Sequence, residues 1–444
     1  MELALLLVAA GVGGSIAMAF FRSQAWKEVG EELGLRYAST MKGPTLIGRI
    51  SGFTVRIARP SNDNPKIQVE VSGGDLPVIS LETEGFFGTI LGSDDIEVGC
   101  AEFDADALVR SGRPRGEAKA VALLDAKTRD LVTRRIVRGD SKLDKGKIVL
   151  QTTKSIRHVT AVVERQIKLA EALKITNDEI PGRLARNSAE DPISLVRLRN
   201  LTLLQERYAD QPEATDASRA SLESETPSIR LAAAIFLGDE AVEVVREIAL
   251  DERADADVRA KALEGLKKDP ERMAVYTKLL GSDSALVQQL AARGVGRSND
   301  PAHLASLEPL LDSSVVTLVL EAVQAMVKIG DSSAETVLIP LLDHKETRVR
   351  MAVIEALGRL GTVRSVEPLF PLTKSFGYRR QARGAIDSIQ ARLGDVEAGR
   401  LTLSEVEDPE GAISLAGSGE LEGGVSFAGD DEDEDPKRDS PSDG

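Results

Sequence analysis

Apolar positions along this chain recur with three different periods, and the changes of period divide it. Leu3 to Phe21, "LALLLVAAGVGGSIAMAFF", runs 19 residues without a charge. As a helix it spans roughly 28 Å, about one hydrocarbon core. Ala17, Met18 and Ala19 fit an A-x-A cleavage pattern, but Met1 and Glu2 supply no basic n-region, which favours a retained single-pass anchor at residues 1–22 over a cleaved export signal. Arg22, Lys27 and Arg36 follow the run, so the positive-inside rule puts the body in the cytoplasm, the membrane being a bacterial inner membrane.

From Thr45 to Leu81 the period becomes two. "TLIGRI", "FTVRIAR", "KIQVEV" and "VISLE" alternate apolar and polar residues between turn clusters, the first of them Ser51-Gly52, and predict antiparallel strands. "EAKAVALLDAKTRDLVTRRIVRG" predicts one helix, with acid at its start, arginines at its end and Gly139 as the stop. A strand "GKIVLQT" and a helix from Ser155 to Leu173 complete an expected α+β domain at 36–175. Residues 176–192, rich in Pro, Gly, Asn and Asp, read as a linker.

Beyond it the period is helical and itself repeats. Aligned on one position, the chain gives Arg230, Arg259, Gln288, Val319, Arg350 and Arg379, spaced 29, 29, 31, 31 and 29 residues apart. "LVRLRNLTLLQ", with Arg197 in the corresponding place, is a capping start. Shorter apolar helices such as "EVVREIALD" and "ETVLIPLLDH" lie between, so the unit is a helix pair of about 30 residues that buries its faces by stacking. The expected fold is therefore multidomain: a transmembrane helix, a small α+β domain, an all-α solenoid at 193–394 and a disordered acidic tail at 395–444.

"LLDHKETRVRMAVIEALG" carries the pattern L-L-x-D followed by V-R-x-x-A-x-x-A-L-G, and on it residues 193–394 resemble the HEAT-like repeats of the bilin-lyase type. The resemblance implies an α-solenoid whose relatives are scaffolds, adaptors and a few lyases. It also implies that the recurring arginine pairs with a neighbouring unit's loop aspartate, here Asp312 or Asp343, and satisfies interhelix carbonyls. The order of anchor, mixed domain and repeats is similar to bacterial envelope-associated proteins.

Composition narrows the function. Aromatics are 3% of the residues, which leaves little for base-stacking platforms, and the net charge is −15, so no nucleic-acid partner is expected. The charge is uneven. Residues 396–444 hold 15 Asp or Glu against three cations, whereas 110–168 hold 16 Lys or Arg against six acids, first of all a solvated helix face with cations at the helix end, and otherwise a contact for anionic headgroups or for the acidic tail. The tail also repeats a phrase, "GRLTLS", "GAISLA" and "GGVSFA", at a spacing of 12, which reads either as a duplicated neutral linker or as tethered copies of an alternating motif that adds to a sheet edge.

Chemistry is sparse. His158, His303 and His344 form no metal motif, Cys100 is the only cysteine, and the pairs Asp94-Asp95 and Asp104/Asp106 suit solvated turns better than acid/base work. No residue is singled out as catalytic, cofactor-binding or metal-binding, and no cofactor is implied. The expected function is a membrane-tethered interaction scaffold that is not an enzyme, binding the membrane through residues 3–21 and protein partners through the solenoid and tail. The alternative is a bilin-lyase-like enzyme or ligand chaperone using the concave face.

Overall fold

The computed structural model describes residues 14–41, 43–59, 66–83, 95–111, 116–394, 401–403 and 413–415. These fall into two compact units, Met1–Asp269 and Pro270–Gly444.

The first unit opens with α1 (Gly14–Leu33) and an eight-stranded antiparallel sheet: β1 (Arg36–Thr40), β2 (Gly43–Ile50), β3 (Phe53–Ala58), β4 (Ile67–Ser72), β5 (Ile79–Thr83), β6 (Ala107–Ser111), β7 (Ser141–Asp144) and β8 (Lys147–Thr152). The spatial order is β1-β2-β3-β4-β8-β7-β5-β6. Ser51 and Gly52, both at positive φ, make the two-residue turn between β2 and β3, where Ile50 faces Phe53. Such a turn matches the twist of the strands it joins. Alternation then does what it predicts: Val55, Ile57, Val69 and Val71 are fully buried.

The anchor reading falls mainly outside the described residues, which begin at Gly14. From there α1 continues past Phe21 to Leu33 and buries Ala25, Trp26 and Val29. Among the described residues no helix is long and apolar enough to cross a membrane. The single helix expected at 117–139 is divided into α3 (Gly116–Leu123) and α4 (Ala126–Val132), the latter continued by a π turn, Thr133–Val137. The cause is Asp125, which leaves helical geometry and caps α4 by accepting from Thr128 N at 2.7 Å. A short α2 (Ala101–Asp106) precedes β6, and α5 (Thr160–Ala172) follows β8.

The linker expected at 176–192 is instead largely a helix, α6 (Ile180–Glu190). Pro181, read as a breaker, occupies the first turn, where a missing N–H costs nothing. Helices α7 (Ser194–Arg207), α8 (Pro212–Ser221), α9 (Pro227–Leu237), α10 (Val242–Leu250) and α11 (Ala256–Gly265) complete this unit. One hydrophobic core joins Trp26, the inner sheet face, Leu184 of α6 and Leu203 and Leu204 of α7. The mixed domain therefore does not stop at 175; the sheet and the first repeat helices exclude water together.

The second unit contains α12 (Arg272–Leu279), α13 (Ala285–Gly296), α14 (Leu304–Leu307), α15 (Val316–Ile329), α16 (Glu335–Leu338), α17 (Thr347–Leu360), α18 (Val363–Leu369) and α19 (Arg379–Gly394). The longer helices α13, α15, α17 and α19 stack in order. They come close because the contact residues are small: a Cβ on Gly296 would lie 2.7 Å from Ala325 Cα, and one on Gly358 would lie 3.0 Å from Ala385 Cα. The intervening helices α14, α16 and α18 pass into 3₁₀ turns that begin at or next to Pro309, Pro340 and Pro371, where proline cannot supply the next α bond. In the tail, β9 (Leu401–Leu403) pairs antiparallel with β10 (Ile413–Leu415).

Candidate interaction surface

At two of the six aligned positions the side chain satisfies a helix-end carbonyl. Arg259 is buried and its Nε donates to Ala249 O at 3.2 Å, an orphan acceptor in the last turn of α10. Gln288 Nε2 donates to Leu280 O at 2.8 Å, at the end of α12. This explains why glutamine replaces arginine there: either side chain reaches a helix-end carbonyl. Val319 is simply buried. Arg230 pairs with Glu247 at 3.0 Å, and Arg379 is exposed. The expected pairing with Asp312 or Asp343 does not form at Arg350; its Nε donates to Tyr378 Oη at 2.8 Å, and its guanidinium lies 5.1 Å from that ring's centre. An aromatic face with a hydroxyl acceptor offers the cation both a hydrogen bond and a cation–π contact.

Side chains 28 residues apart tie α13 to α15, and α17 to the turn just before α19. Gln289 Nε2 donates to Thr317 Oγ1 at 2.7 Å, Arg293 grips Glu321 with two bonds of 3.0 and 2.8 Å, and Arg350 reaches Tyr378. Half-exposed pairs of this kind contribute about 1 kcal/mol or less each, so their main effect is to fix register. Deeper ties use buried acids. Glu335 accepts from Thr362 N, Thr362 Oγ1 and Ser365 Oγ at 2.8–2.9 Å, and in the first unit Arg246 holds buried Asp269 with two bonds of 2.7 Å.

The same stacking leaves apolar side chains outside. Leu286, Val315, Met351 and Phe376 are exposed, and each falls within four residues of the aligned positions 288, 319, 350 and 379. Those positions open α13, α15, α17 and α19, so the four side chains recur along one edge of the stack, at the N-terminal ends of its long helices.

The family profile of the HEAT repeats matches residues 318–387. These residues are HEAT repeats. Among solved structures, the chain is similar to YibA of Escherichia coli at 19% identity, over 54% of this chain and 98% of that one, with a TM-score of 0.32. It is also similar to the complex of CpcE and CpcF of phycocyanin lyase from Nostoc sp., at 22% identity over 40% and 77%, with a TM-score of 0.28. A designed armadillo repeat protein in complex with the peptide (KR)4 matches at 19% over 42% and 98%, with a TM-score of 0.29. No curated protein matches.

Several of the residues weighed for chemistry serve local structure. Asp95 accepts from Val109 N at 3.0 Å, and Asp104 accepts from Val98 N and Gly99 N at 3.0 and 2.9 Å. Asp104 and Asp106 lie in α2 rather than in a loop, and Asp94 is outside the described residues. His344 Nδ1 accepts from Glu346 N at 3.0 Å, His303 lies 3.9 Å from Asp300, and His158 ends a 3₁₀ turn. Cys100 is half-buried at the start of α2. Among the described residues no group of three or more His, Cys, Asp or Glu is placed to hold a metal. Part of the basic excess at 110–168 is met locally: Arg129 by Asp191, Arg134 by Asp130 and Lys147 by Glu70.

Proposed function

We propose that this protein is an interaction scaffold tethered to a membrane, with the N-terminal edge of its HEAT-repeat helices as the partner-binding surface. One observation carries the reading: Leu286, Val315, Met351 and Phe376 stand exposed in, or just before, the first five residues of the four successive long helices. Exposed apolar residues that recur near the same end of successive helices form an extended surface of the kind that helical repeats offer to a partner chain. The tether rests on the uncharged run Leu3–Phe21. It gains support from α1, which runs without a break from Gly14 to the buried Trp26 and so leaves about one turn between the run and the folded body. Part of the basic 110–168 region would then lie near headgroups.

The test is a proximity-labelling comparison of the full-length protein with a variant carrying Leu286→Ser, Met351→Ser and Phe376→Ser. Loss of a defined set of neighbours with an unchanged thermal transition supports this edge as the binding surface; an unchanged set rejects it. Alkaline extraction of membranes tests the tether separately, since recovery of the full-length chain in the soluble fraction would remove it.

A further inference from the structure

The C-terminal end of the HEAT repeats is basic where a helix least favours it. Residues 344–394 carry ten Lys or Arg against four acids. Arg379, Arg380 and Arg383 crowd the first five residues of α19, at the positive end of that helix's dipole. All three are exposed and none has a carboxylate partner among the described residues. Immediately before them stands Phe376, 99% exposed, in a turn held by Tyr378 N and Arg379 N, which donate to Ser375 O at 3.1 and 2.9 Å. Met351 is exposed on α17, one residue after the Arg350 that bonds Tyr378. The surface thus offers the exposed ring of Phe376 just before three positive charges that no carboxylate answers among the described residues.

The chain itself contains the complement. Beyond α19 it supplies "VSFAGDDEDED", Val425 to Asp435, with two apolar side chains followed by six consecutive acids. We propose that this segment docks on the start of α19, with Phe427 against Phe376 and the acids 430–435 over Arg379, Arg380 and Arg383.

The connecting chain reaches. The start of α19 lies about 24 Å back along its 16 residues. With β9 and β10 paired, 20 residues, 395–400 and 416–429, join α19 to the acids, and a chain of 20 residues can reach at most about 66 Å, well beyond that distance. Contact within one chain is thereby an intramolecular event, for which weak contacts suffice. Docking covers Phe376, so the tail competes with any partner of that edge. The proposal does not rest on the scaffold reading, because both surfaces belong to this chain.

Zero-length carbodiimide coupling of the full-length protein tests it, read by mass spectrometry with mixed isotope-labelled and unlabelled chains to separate contacts within a chain from those between chains. Carboxylates 430–435 are expected to couple to Lys374, five residues before α19, within one chain. The yield should fall several-fold at high salt, in the triple variant Arg379→Ser, Arg380→Ser, Arg383→Ser, and in Phe427→Ser, with melting unchanged in all. Coupling that goes chiefly to lysines of 110–168, or between chains, or spreads evenly over exposed lysines, or survives the triple variant, overturns it.

Discussion

Arg129 and Asp191, 62 residues apart in the chain, close on each other with two parallel hydrogen bonds of 2.8 and 3.0 Å and are almost fully buried. The same guanidinium donates to Leu124 O at 2.8 Å. The pair joins α4, beside the sheet, to the residue that ends α6, and so holds the first repeat helices to the mixed domain. Removing one partner strands a buried charge. Asp191→Ala is expected to cost about 3–5 kcal/mol, whereas Arg129→Met with Asp191→Leu should recover most of that loss. Urea denaturation followed by the fluorescence of Trp26, the only tryptophan, reads the first unit directly. A single variant as stable as the double would show the pair to be solvated.

Glycines in the stacked helices of the second unit should sort by what their missing Cβ would meet. Gly296→Ala drives a methyl to 2.7 Å from backbone of the next helix, so a loss of about 1–3 kcal/mol is expected, and Gly358→Ala, at 3.0 Å, should lose less. Gly384 in α19 has open space around it, so Gly384→Ala should stabilise by about 0.5–1 kcal/mol. Calorimetric melting of the three variants checks the order, and a destabilised Gly384→Ala with a neutral Gly296→Ala would contradict the stacking.

The repeat region was legible because the period of 29–31 residues survives each local exception, and Gln288 and Val319 turn out to be substitutions the position tolerates. The strands β2, β3, β4, β5 and β8 were legible from alternation, but β1, β6 and β7 were not: they are four or five residues long, and register with a neighbour rather than pattern makes them strands. The linker reading failed at Pro181 because proline breaks a helix interior and starts one equally well. At the candidate surface, nothing local in the sequence marks Tyr378, Thr317 or Glu321; only the offset of 28 residues, applied after the repeat is known, finds them. In the tail, phrases read as separate binding motifs pair with each other at Leu401↔Leu415 and Leu403↔Ile413, and the third, at 425–427, lies outside the described residues.

Glu335 is an acid that the stack uses as an acceptor. It receives three donors from the first turn of α18, including the fully buried Ser365 hydroxyl. Glu335→Ala leaves those donors without a partner and is expected to cost about 1–3 kcal/mol, while Ser365→Ala in the same background should add little. A double-mutant cycle by urea denaturation measures the coupling, and additive losses would mean that the bonds exchange with water.

Acid should loosen the start of α6 through Glu179. The Thr176 N–H, donating to its Oε2 at 3.1 Å, is the main cause holding this carboxyl below the usual carboxylate range, with Arg183 at 3.3 Å and Lys174 adding to the effect. A folded pKa below the unfolded value of roughly 4.3 means the folded state holds the proton less tightly. The contribution to stability is therefore complete above the unfolded pKa, shrinks as pH falls through the folded pKa, and disappears below it. Because Glu179 is exposed, the effect is small and local. A carboxyl-carbon NMR titration should place its midpoint below the ordinary glutamate value. Amide exchange in α6 should separate Glu179→Gln from the parent protein near neutral pH, and the two should converge in acid. A midpoint at or above the ordinary glutamate value would mean that the Thr176 bond does not hold the turn before this helix.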